Sequence, residues 1–198
     1  MTADYGQLIR NLSCFYDFTG KVVLYVGAGG RQLLDPSVAI GKLIAIDRDV
    51  KSLKELKEKS KLQRMHNSID IVGRDFEDVG SCGDVVYFEF CLHEMDDPDK
   101  ALSHARTLAP DTVVFDHLPD SEWVFHAAEE EEVRRSAEAM EHFGVRRCER
   151  FCAEQRFQDH AELLAKVTVQ RPIAIQRAER FIGIMNISIP MSYEIALL

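Results

Sequence analysis

The sequence contains no apolar run of the about 18 residues or more that a membrane-spanning helix needs. Its N-terminus also lacks a basic region followed by an apolar stretch, which is the pattern of a secretion signal. We therefore expect a cytoplasmic protein without a membrane partner.

Cysteine is scarce and irregularly spaced, with five residues at positions 14, 82, 91, 148 and 152. An odd number without regular spacing argues against a disulfide framework and for reduced thiols. Cys148 and Cys152 form the closest pair, and no second pair stands at the spacing of zinc ligands. We interpret these cysteines as packing residues and expect no metal site.

Positive charge is in deficit, because 24 basic residues stand against 33 acidic ones and leave a formal net charge of −9. A nucleic-acid backbone requires a concentrated positive surface, so we expect no nucleic-acid partner. A small-molecule substrate suits this balance better. The length of 198 residues and the 46% hydrophobic content predict one domain with a sizeable core, and they leave a homodimer open.

A glycine-rich turn follows residues 22–26, which we interpret as a buried strand. Gly27 and Gly29 carry no Cβ, so a nucleotide-like ligand can lie against the backbone N–H groups of the turn. The third glycine of a dinucleotide-binding fingerprint is missing, because Gln32 occupies that position. Taken alone, the turn is equally consistent with a plain connection between two secondary-structure elements.

An acidic residue ends the next predicted strand. Asp47 stands 20 positions after Gly27 and directly follows the apolar residues 43–46. At the carboxyl end of a second parallel strand, its carboxylate can accept hydrogen bonds from both hydroxyls of a ribose. The alternative is that Asp47 only caps the following helix.

Predicted strands and helices alternate along the first part of the chain. Apolar residues at helical spacing predict a helix within residues 1–20. Apolar runs predict a third, fourth and fifth strand at 68–73, 84–90 and 112–116, with a helix from Asp97 to Pro110 between the last two. This alternation predicts βαβ units and a mostly parallel sheet.

The rest of the chain is predicted to hold helices at 129–143, 159–167 and 171–180 and strands at 145–157 and 186–198. Pro190 in the last strand marks an edge or a bulge. The whole chain, 1–198, is predicted to be a single domain. We divide it into an N-terminal helical cap (1–20), a cofactor-binding core (21–118) and a substrate side with the C-terminal strands (119–198).

Four motifs in this order resemble those of the class I S-adenosylmethionine-dependent methyltransferases, in particular the small-molecule branch. They are the turn at 27–29, Asp47, the pair at 75–76 and the segment at 89–95. The resemblance covers roughly residues 15–120. It implies a Rossmann-like α/β fold with a mostly parallel seven-stranded sheet, helices on both faces and an antiparallel last strand. It implies S-adenosylmethionine as cofactor, with S-adenosylhomocysteine as product.

The resemblance also implies which residues meet this cofactor. The first turn holds the methionine end, Asp47 the ribose, and Asp75 the adenine amino group, with Phe76 and Arg48 against the ring. The segment from Glu89 borders the transferred methyl group. The cofactor-binding residues implied in this way are Tyr25, Gly27, Ala28, Gly29, Asp47, Arg48, Asp75, Phe76, Glu89 and Phe90.

Two positions depart from the pattern of the family. Tyr25 stands where an acidic residue is usual, and Arg31 stands where another glycine is usual. Arg31 either clamps the carboxylate of the cofactor or points outward. If Tyr25 and Arg31 close the site, the chain is instead a non-catalytic binding or partner subunit, which is our alternative to the enzyme. A nicotinamide oxidoreductase is a third hypothesis, weakened by Gln32.

Two histidines are the predicted catalytic residues. His93 and His117 follow the fourth and fifth strands, at the edge where parallel sheets bind ligands, and each can take a proton from an acceptor. The alternative is that both are hydrogen-bonded rim residues. Three further residues are predicted to bind the acceptor: Glu94 as an orienting or charge-recognising group, Trp123 as a pocket wall, and Tyr16 as a lid.

Overall fold

The computed structural model describes residues 5–29, 32–35, 37–62, 69–168 and 171–198. Its centre is a sheet of seven strands. The strands are β1 (Val22–Val26), β2 (Lys42–Ile46), β3 (Ile69–Val72), β4 (Val85–Glu89), β5 (Asp111–His117), β6 (Arg147–Asp159) and β7 (Met185–Leu197). Each of the predicted strands is present, with bounds that agree or differ by at most two residues.

The strand order is β3-β2-β1-β4-β5-β7-β6. The first five strands are parallel, whereas β7 pairs antiparallel with both β5 and β6. The order reverses between β1 and β4, which places the carboxyl ends of both strands beside one crevice. The prediction of a mostly parallel seven-stranded sheet with an antiparallel last strand is confirmed.

Helices cover both faces of the sheet. They are α1 (Tyr5–Phe15), α2 (Val50–Leu62), α3 (Pro98–Leu108), α4 (Glu122–Ala127), α5 (Glu130–Phe143), α6 (His160–Val167) and α7 (Pro172–Ala178). Asp97 caps α3 as its side chain accepts from the Lys100 N–H at 3.0 Å. Among the described residues, no helix has the length and apolar character to cross a membrane.

The sheet separates two apolar cores, because alternate side chains of each buried strand point to opposite faces. On one face, Tyr25, Tyr87 and Phe115 pack with α1 and α2. On the other face, Leu24 and Phe88 pack with α3 and α5. All five residues of β4 are buried, as expected of a strand covered on both sides.

Two local elements were not predicted. The glycine turn leads into one turn of 3-10 helix, Gln32–Leu34, in the described residues between β1 and β2. Helix α4 has six residues, too few to show a helical period, although Val124 and Ala127 on one of its faces are buried.

The hairpin of β6 and β7 extends beyond the rest of the sheet. β5 pairs with β7 only from Tyr193 to Leu197, so residues 185–192 pair with β6 alone. Pro190 lies in this part of β7, which has a neighbouring strand on one side only. Its missing N–H therefore removes no hydrogen bond to a second strand. Its predicted edge character is confirmed.

Candidate functional site

A cleft of about 440 Å³ opens at the carboxyl ends of β1, β2, β3 and β4. Its charged side chains are mainly acidic, with seven acidic residues against two arginines. The residues that line it are Val26, Gly27, Ile46, Asp47, Arg48, Asp49, Arg74, Asp75, Phe76, Glu77, Asp78, Cys91, Glu94, Met95 and Asp96. Five of the predicted cofactor residues are therefore brought together here: Gly27, Asp47, Arg48, Asp75 and Phe76. The predicted acceptor residue Glu94 joins them.

Gly27 is required by the backbone of the turn. Its φ is +70°, and its N–H donates to the Ile46 carbonyl at 3.2 Å. A Cβ at this position would lie 2.5 Å from the Cβ and Sγ atoms of Cys91, so no larger residue fits without a shift. Gly29 has no such restriction, since the nearest atom to its Cβ position is the Ser52 Oγ at 3.9 Å. Ala28 is fully buried, and neither it nor Gly29 lines the cleft.

The far wall of the cleft combines carboxylates with an aromatic ring. The Asp47 Oδ1 accepts the N–H of Asp49 at 2.8 Å, which fixes the carboxylate at the end of β2. The Arg48 Nε lies 3.5 Å from the Asp75 Oδ1, so the two predicted base-binding residues face each other. Phe76 is 4% exposed and packs edge-on against Phe88, with ring centroids 5.2 Å apart.

Tyr25 does not fill the cleft. Its ring is fully buried and stacks on Tyr87, with centroids 5.5 Å apart, and its hydroxyl donates to the carboxylate of Glu89. This packing holds Tyr25 and Glu89 on the inner side of the strand ends, outside the lining of the cleft. In the structure, Tyr25 therefore does not close the cleft. Arg31 lies outside the described residues.

His93 is held in a buried ion pair. Its Nδ1 lies 2.5 Å from the Asp116 Oδ1, and its backbone N–H donates to the Asp116 Oδ2 at 3.0 Å. The Asp116 Oδ1 also accepts the N–H of His117 at 2.9 Å. Asp116 therefore connects the loop after β4 to the end of β5, with no exposed surface of its own.

The carboxylates around His93 decide its protonation. Burial opposes the imidazolium, but the attraction of Asp116, Glu129 and Glu94 outweighs it and raises the pKa of His93 to about 9. The Glu129 Oε2 lies 3.9 Å from the His93 Nε2. A protonated imidazole cannot accept a proton, so at neutral pH this geometry suits His93 as a positively charged anchor better than as the predicted base.

His117 has the opposite protonation. Burial, with the charge of His93 against it, lowers the pKa of His117 to about 3, so its ring is neutral. Its ring lies 4.6 Å from Phe90 and 5.5 Å from His93, centroid to centroid. Phe90 does not line the cleft; it lies at the end of β4 with a φ of +47° and contacts His117. The two histidines and Glu94 are thus neighbours, as their positions after β4 and β5 predict.

The structure does not bring Tyr16 to this site. Its hydroxyl donates to the Asp111 Oδ2 at 2.7 Å, at the start of β5 and so at the opposite end of the sheet from the cleft. Burial, together with this hydrogen bond, raises the pKa of Tyr16 beyond its usual range. A lid over the acceptor cannot form from this position.

Trp123 is a core residue, which corrects its interpretation as the wall of an open pocket. It is 2% exposed and stacks on Phe157, with ring centroids 5.9 Å apart. The physical reason is that α4 packs against β7 and turns its tryptophan inward, away from the polar residues that precede it. Its position in the core leaves it no exposed surface to offer a substrate.

Two residues of the site were not predicted. Cys91 packs on Gly27 and lines the cleft, and burial raises the pKa of its thiol well above the usual value. Glu129 approaches His93 from the junction of α4 and α5. Its only signal in the sequence is its place at the head of the acidic run 129–132, which equally fits a solvated helix start.

No family model matches the sequence, and no curated protein matches it. Solved structures do match along nearly the whole chain. A SAM-dependent methyltransferase from Aquifex aeolicus is 17% identical with a TM-score of 0.58, and the match covers 98% of this chain and 89% of that one.

Two further structures show the range of proteins that share this architecture. The magnesium protoporphyrin IX methyltransferase of Synechocystis, solved with bound S-adenosylhomocysteine, is 14% identical with a TM-score of 0.58 and covers 97% of this chain and 80% of that one. A provisionally assigned RNA methyltransferase from Pyrococcus horikoshii is 18% identical with a TM-score of 0.59, over 98% and 81%. At these identities the likeness shows the fold: this chain has the fold of SAM-dependent methyltransferases.

Proposed function

We propose that this protein is an S-adenosylmethionine-dependent methyltransferase that acts on a small molecule. The observation that carries the proposal is the cleft, which Gly27, Asp47 and Asp75 all line at the carboxyl ends of β1, β2 and β3. Ligands of open parallel sheets bind at this edge, beside the point where the strand order reverses.

The chemistry of the cleft fits the groups of this cofactor. Asp47 offers a carboxylate to ribose hydroxyls, and Asp75 offers one to an exocyclic amine, with Phe76 beneath. The turn at Gly27 allows close approach because no Cβ stands there. S-adenosylmethionine carries a sulfonium and an ammonium group, so the predominantly acidic lining favours it over a diphosphate cofactor.

The cofactor supplies an electrophilic methyl group, and the protein's residues supply position and a dry surrounding. Methyl transfer is an in-line displacement, so alignment of the acceptor and exclusion of water matter most. Asp116 fixes His93 and the N–H of His117 in one frame at the ends of β4 and β5. These side chains are buried behind Glu94, which does line the cleft.

A small acceptor is supported by charge. Seven acidic residues stand against two arginines in the lining of the cleft, and a nucleic-acid backbone would be repelled by them. With the other features of the sequence, this supports a cytoplasmic enzyme of small-molecule metabolism.

Calorimetry with S-adenosylmethionine and S-adenosylhomocysteine tests the proposal. We expect both to bind, and we expect Asp47→Ala to weaken binding by about 10- to 100-fold, since hydrogen bonds to a charged group contribute about 1.5–3 kcal/mol. Asp70→Asn is the matched control, because Asp70 lies on β3 outside the cleft and pairs with Lys42 on the surface. Absence of binding by the intact protein would refute the proposal.

One of the two residues that favoured the alternative, a non-catalytic partner subunit, no longer supports it. It rests on closure of the methionine end by Tyr25 and Arg31, and Tyr25 is turned away toward Glu89. Tight binding of S-adenosylhomocysteine without turnover of any acceptor, together with a stable complex in pull-down experiments, would favour that alternative.

A further inference from the structure

Strand β6 leaves one edge of the sheet open. It is the last strand in the sheet order, and among the described residues only β7 pairs with it. Its 13 residues include no proline or glycine, and its ladder to β7 keeps one register from Arg147 to Phe157. Natural edge strands are often short, bulged or interrupted by proline, because a long regular edge offers hydrogen bonds to another strand. Over this length β6 shows none of these three protections.

The hydrogen bonds of β7 identify which backbone groups of β6 face outward. The Ser192 N–H donates to the Ser121 Oγ at 3.1 Å, and the Ser192 carbonyl accepts the Leu118 N–H at 3.1 Å, so both groups of Ser192 point away from β6. The residue opposite Ser192 is Cys152. Opposite residues of an antiparallel ladder either exchange two hydrogen bonds or both turn away. Cys152 therefore directs its N–H and C=O to the open edge, and so does every second residue along β6.

The open edge has a defined end. The Gln158 N–H, which faces the same way as that of Cys152, donates to the Glu162 Oε2 of α6 at 2.7 Å. An added strand can therefore reach only the part of the edge before Gln158. The side chains at the alternate positions from 148 to 158 are all exposed. They lie on the face of β6 opposite to that which packs in the core through Ala153 and Phe157.

The charges of β6 are balanced although the chain is acidic. β6 holds three arginines and three acidic residues, whereas the whole chain has a net charge of −9. Two copies of an acidic chain repel each other, and a locally neutral strand is where this repulsion is weakest. Opposite charges within one strand can also pair with the same strand of a second copy. This charge balance favours a second copy of the chain as the partner of the open edge.

One register brings these charges together. When two identical antiparallel strands are related by a two-fold axis perpendicular to the sheet, one residue lies opposite its own copy. With Cys152 at this centre, Arg150 of each copy lies opposite Glu154 of the other. Opposite-charge pairs across two strands stabilise a sheet. The symmetry makes this pair twice.

The neighbouring registers are less favourable. A shift of the centre by one residue either leaves the charges of β6 without a pair or sets Arg150 opposite Arg156. A shift by two sets Arg150 or Glu154 opposite its own copy. A shift by three toward α6 pairs Glu154 with Arg156, but it needs the N–H of Gln158, which Glu162 already binds. Both charge and the end of the open edge therefore favour Cys152 as the centre.

We propose that two copies of this chain associate through β6, in an antiparallel pairing centred on Cys152 that continues the sheet into the second copy. The pairs at 150, 152 and 154 exchange about six backbone hydrogen bonds. The side chains of Arg150 and Glu154 are 72% and 47% exposed, so both are accessible to the second copy. Each has an ion-pair partner in its own chain, Glu194 and Arg156, and guanidinium and carboxylate groups bind more than one partner.

The pairing leaves the cleft accessible. The cleft lies at the ends of β1 to β4, whereas β6 is separated from β4 by β5 and β7. Both copies therefore keep an open cleft, and the association does not depend on the methyl-transfer function.

Light scattering after size-exclusion chromatography tests the association. Over a dilution series, we expect a mass that rises toward twice that of the chain as concentration increases. A short bis-maleimide reagent should link Cys152 of one copy to Cys152 of the other, because the Cα atoms of such opposite residues lie about 5.5 Å apart. Mass spectrometry of the linked peptides identifies the site. Cys152→Ser should abolish this link, whereas Cys148→Ser, on the same face of β6, should keep it.

Two variants test the interface by different means. Cys152→Pro removes the N–H at the centre of the pairing, which the ladder to β7 does not use, and should raise the dimer Kd about 10-fold or more. Cys152→Ser is its control, because serine keeps the N–H. Glu154→Arg sets two arginines opposite each other and should raise Kd by a similar factor. Glu141→Arg, on the exposed face of α5, carries the same change in net charge and should leave the dimer unchanged.

The outcomes decide each part of the inference. A protein that stays monomeric at every concentration overturns the association. A dimer that survives Glu154→Arg, and Cys152→Pro wherever that variant keeps the wild-type circular dichroism spectrum, overturns the β6 interface. A dimer linked through other cysteines and not through Cys152 overturns the register. Binding of S-adenosylhomocysteine should be the same in all variants, so its failure in the wild type refutes the methyltransferase alone.

Discussion

Replacement of Asp116 by asparagine removes the charge that holds His93 protonated. Asp116 accepts three hydrogen bonds, two from His93 and one from the N–H of His117, and asparagine keeps the size but only one accepting oxygen. The rise in the pKa of His93 from 6.5 to about 9 corresponds to about 3 kcal/mol, since one pKa unit equals about 1.4 kcal/mol. We expect Asp116→Asn to lower the free energy of unfolding at pH 6 by most of this amount.

The loss should depend on pH in a defined direction. A pKa that is raised by folding stabilises the native state fully below 6.5, and this stabilisation fades as pH rises through 9. The groups that face the ring are Asp116, Glu129, Glu94 and the neutral His117, so asparagine at 116 leaves two weaker partners. We therefore expect a difference of about 3 kcal/mol between wild type and variant at pH 6 and a clearly smaller one at pH 9.5.

Urea unfolding at the two pH values measures this difference, and NMR titration of the His93 ring measures its pKa directly. Asp120→Asn is the control, because Asp120 is exposed in the loop after β5. An equal loss of stability at both pH values, or a wild-type His93 that titrates near 6.5, would refute the reasoning.

Two pairs of substitutions test the packing of the glycine turn and of the core. Gly27→Ala should lower the free energy of unfolding by about 2 kcal/mol or more, as its Cβ meets Cys91 at a positive φ, whereas Gly29→Ala should be nearly neutral. Trp123→Ala should cost about 3–5 kcal/mol by opening the core, against about 1 kcal/mol or less for the exposed Phe125→Ala, measured by urea unfolding. Equal effects within either pair would contradict the assigned burial.

Much of the fold could be predicted from the sequence, because the signals are local. The apolar run before Asp47 and the Asp97-Pro98 start of α3 depend on neighbouring residues alone. Helix α4 could not be found in this way, since its six residues are too few to show a period. The burial of Trp123 depends on contact with Phe157, which is distant in the chain.

The candidate site was predictable where its residues lie close to a strand end. Asp47, Asp75 and Glu94 follow strands within one to five residues, and parallel strands bring their carboxyl ends together. Glu129 follows β5 by more than one turn of helix and approaches His93 only through the corner between α4 and α5. The protonation of His93 likewise depends on that corner and on burial, which no local pattern encodes.

The placement of β7 between β5 and β6 constrains how this protein folds during synthesis. The parallel half of the sheet can pair as it leaves the ribosome, but β5 keeps an open edge until residues 193–197 are made. β6 also has no partner in the sheet before β7 arrives. An unpaired strand edge is prone to association with other chains. Slow synthesis or truncation before residue 197 should therefore favour aggregation over an incomplete but soluble domain.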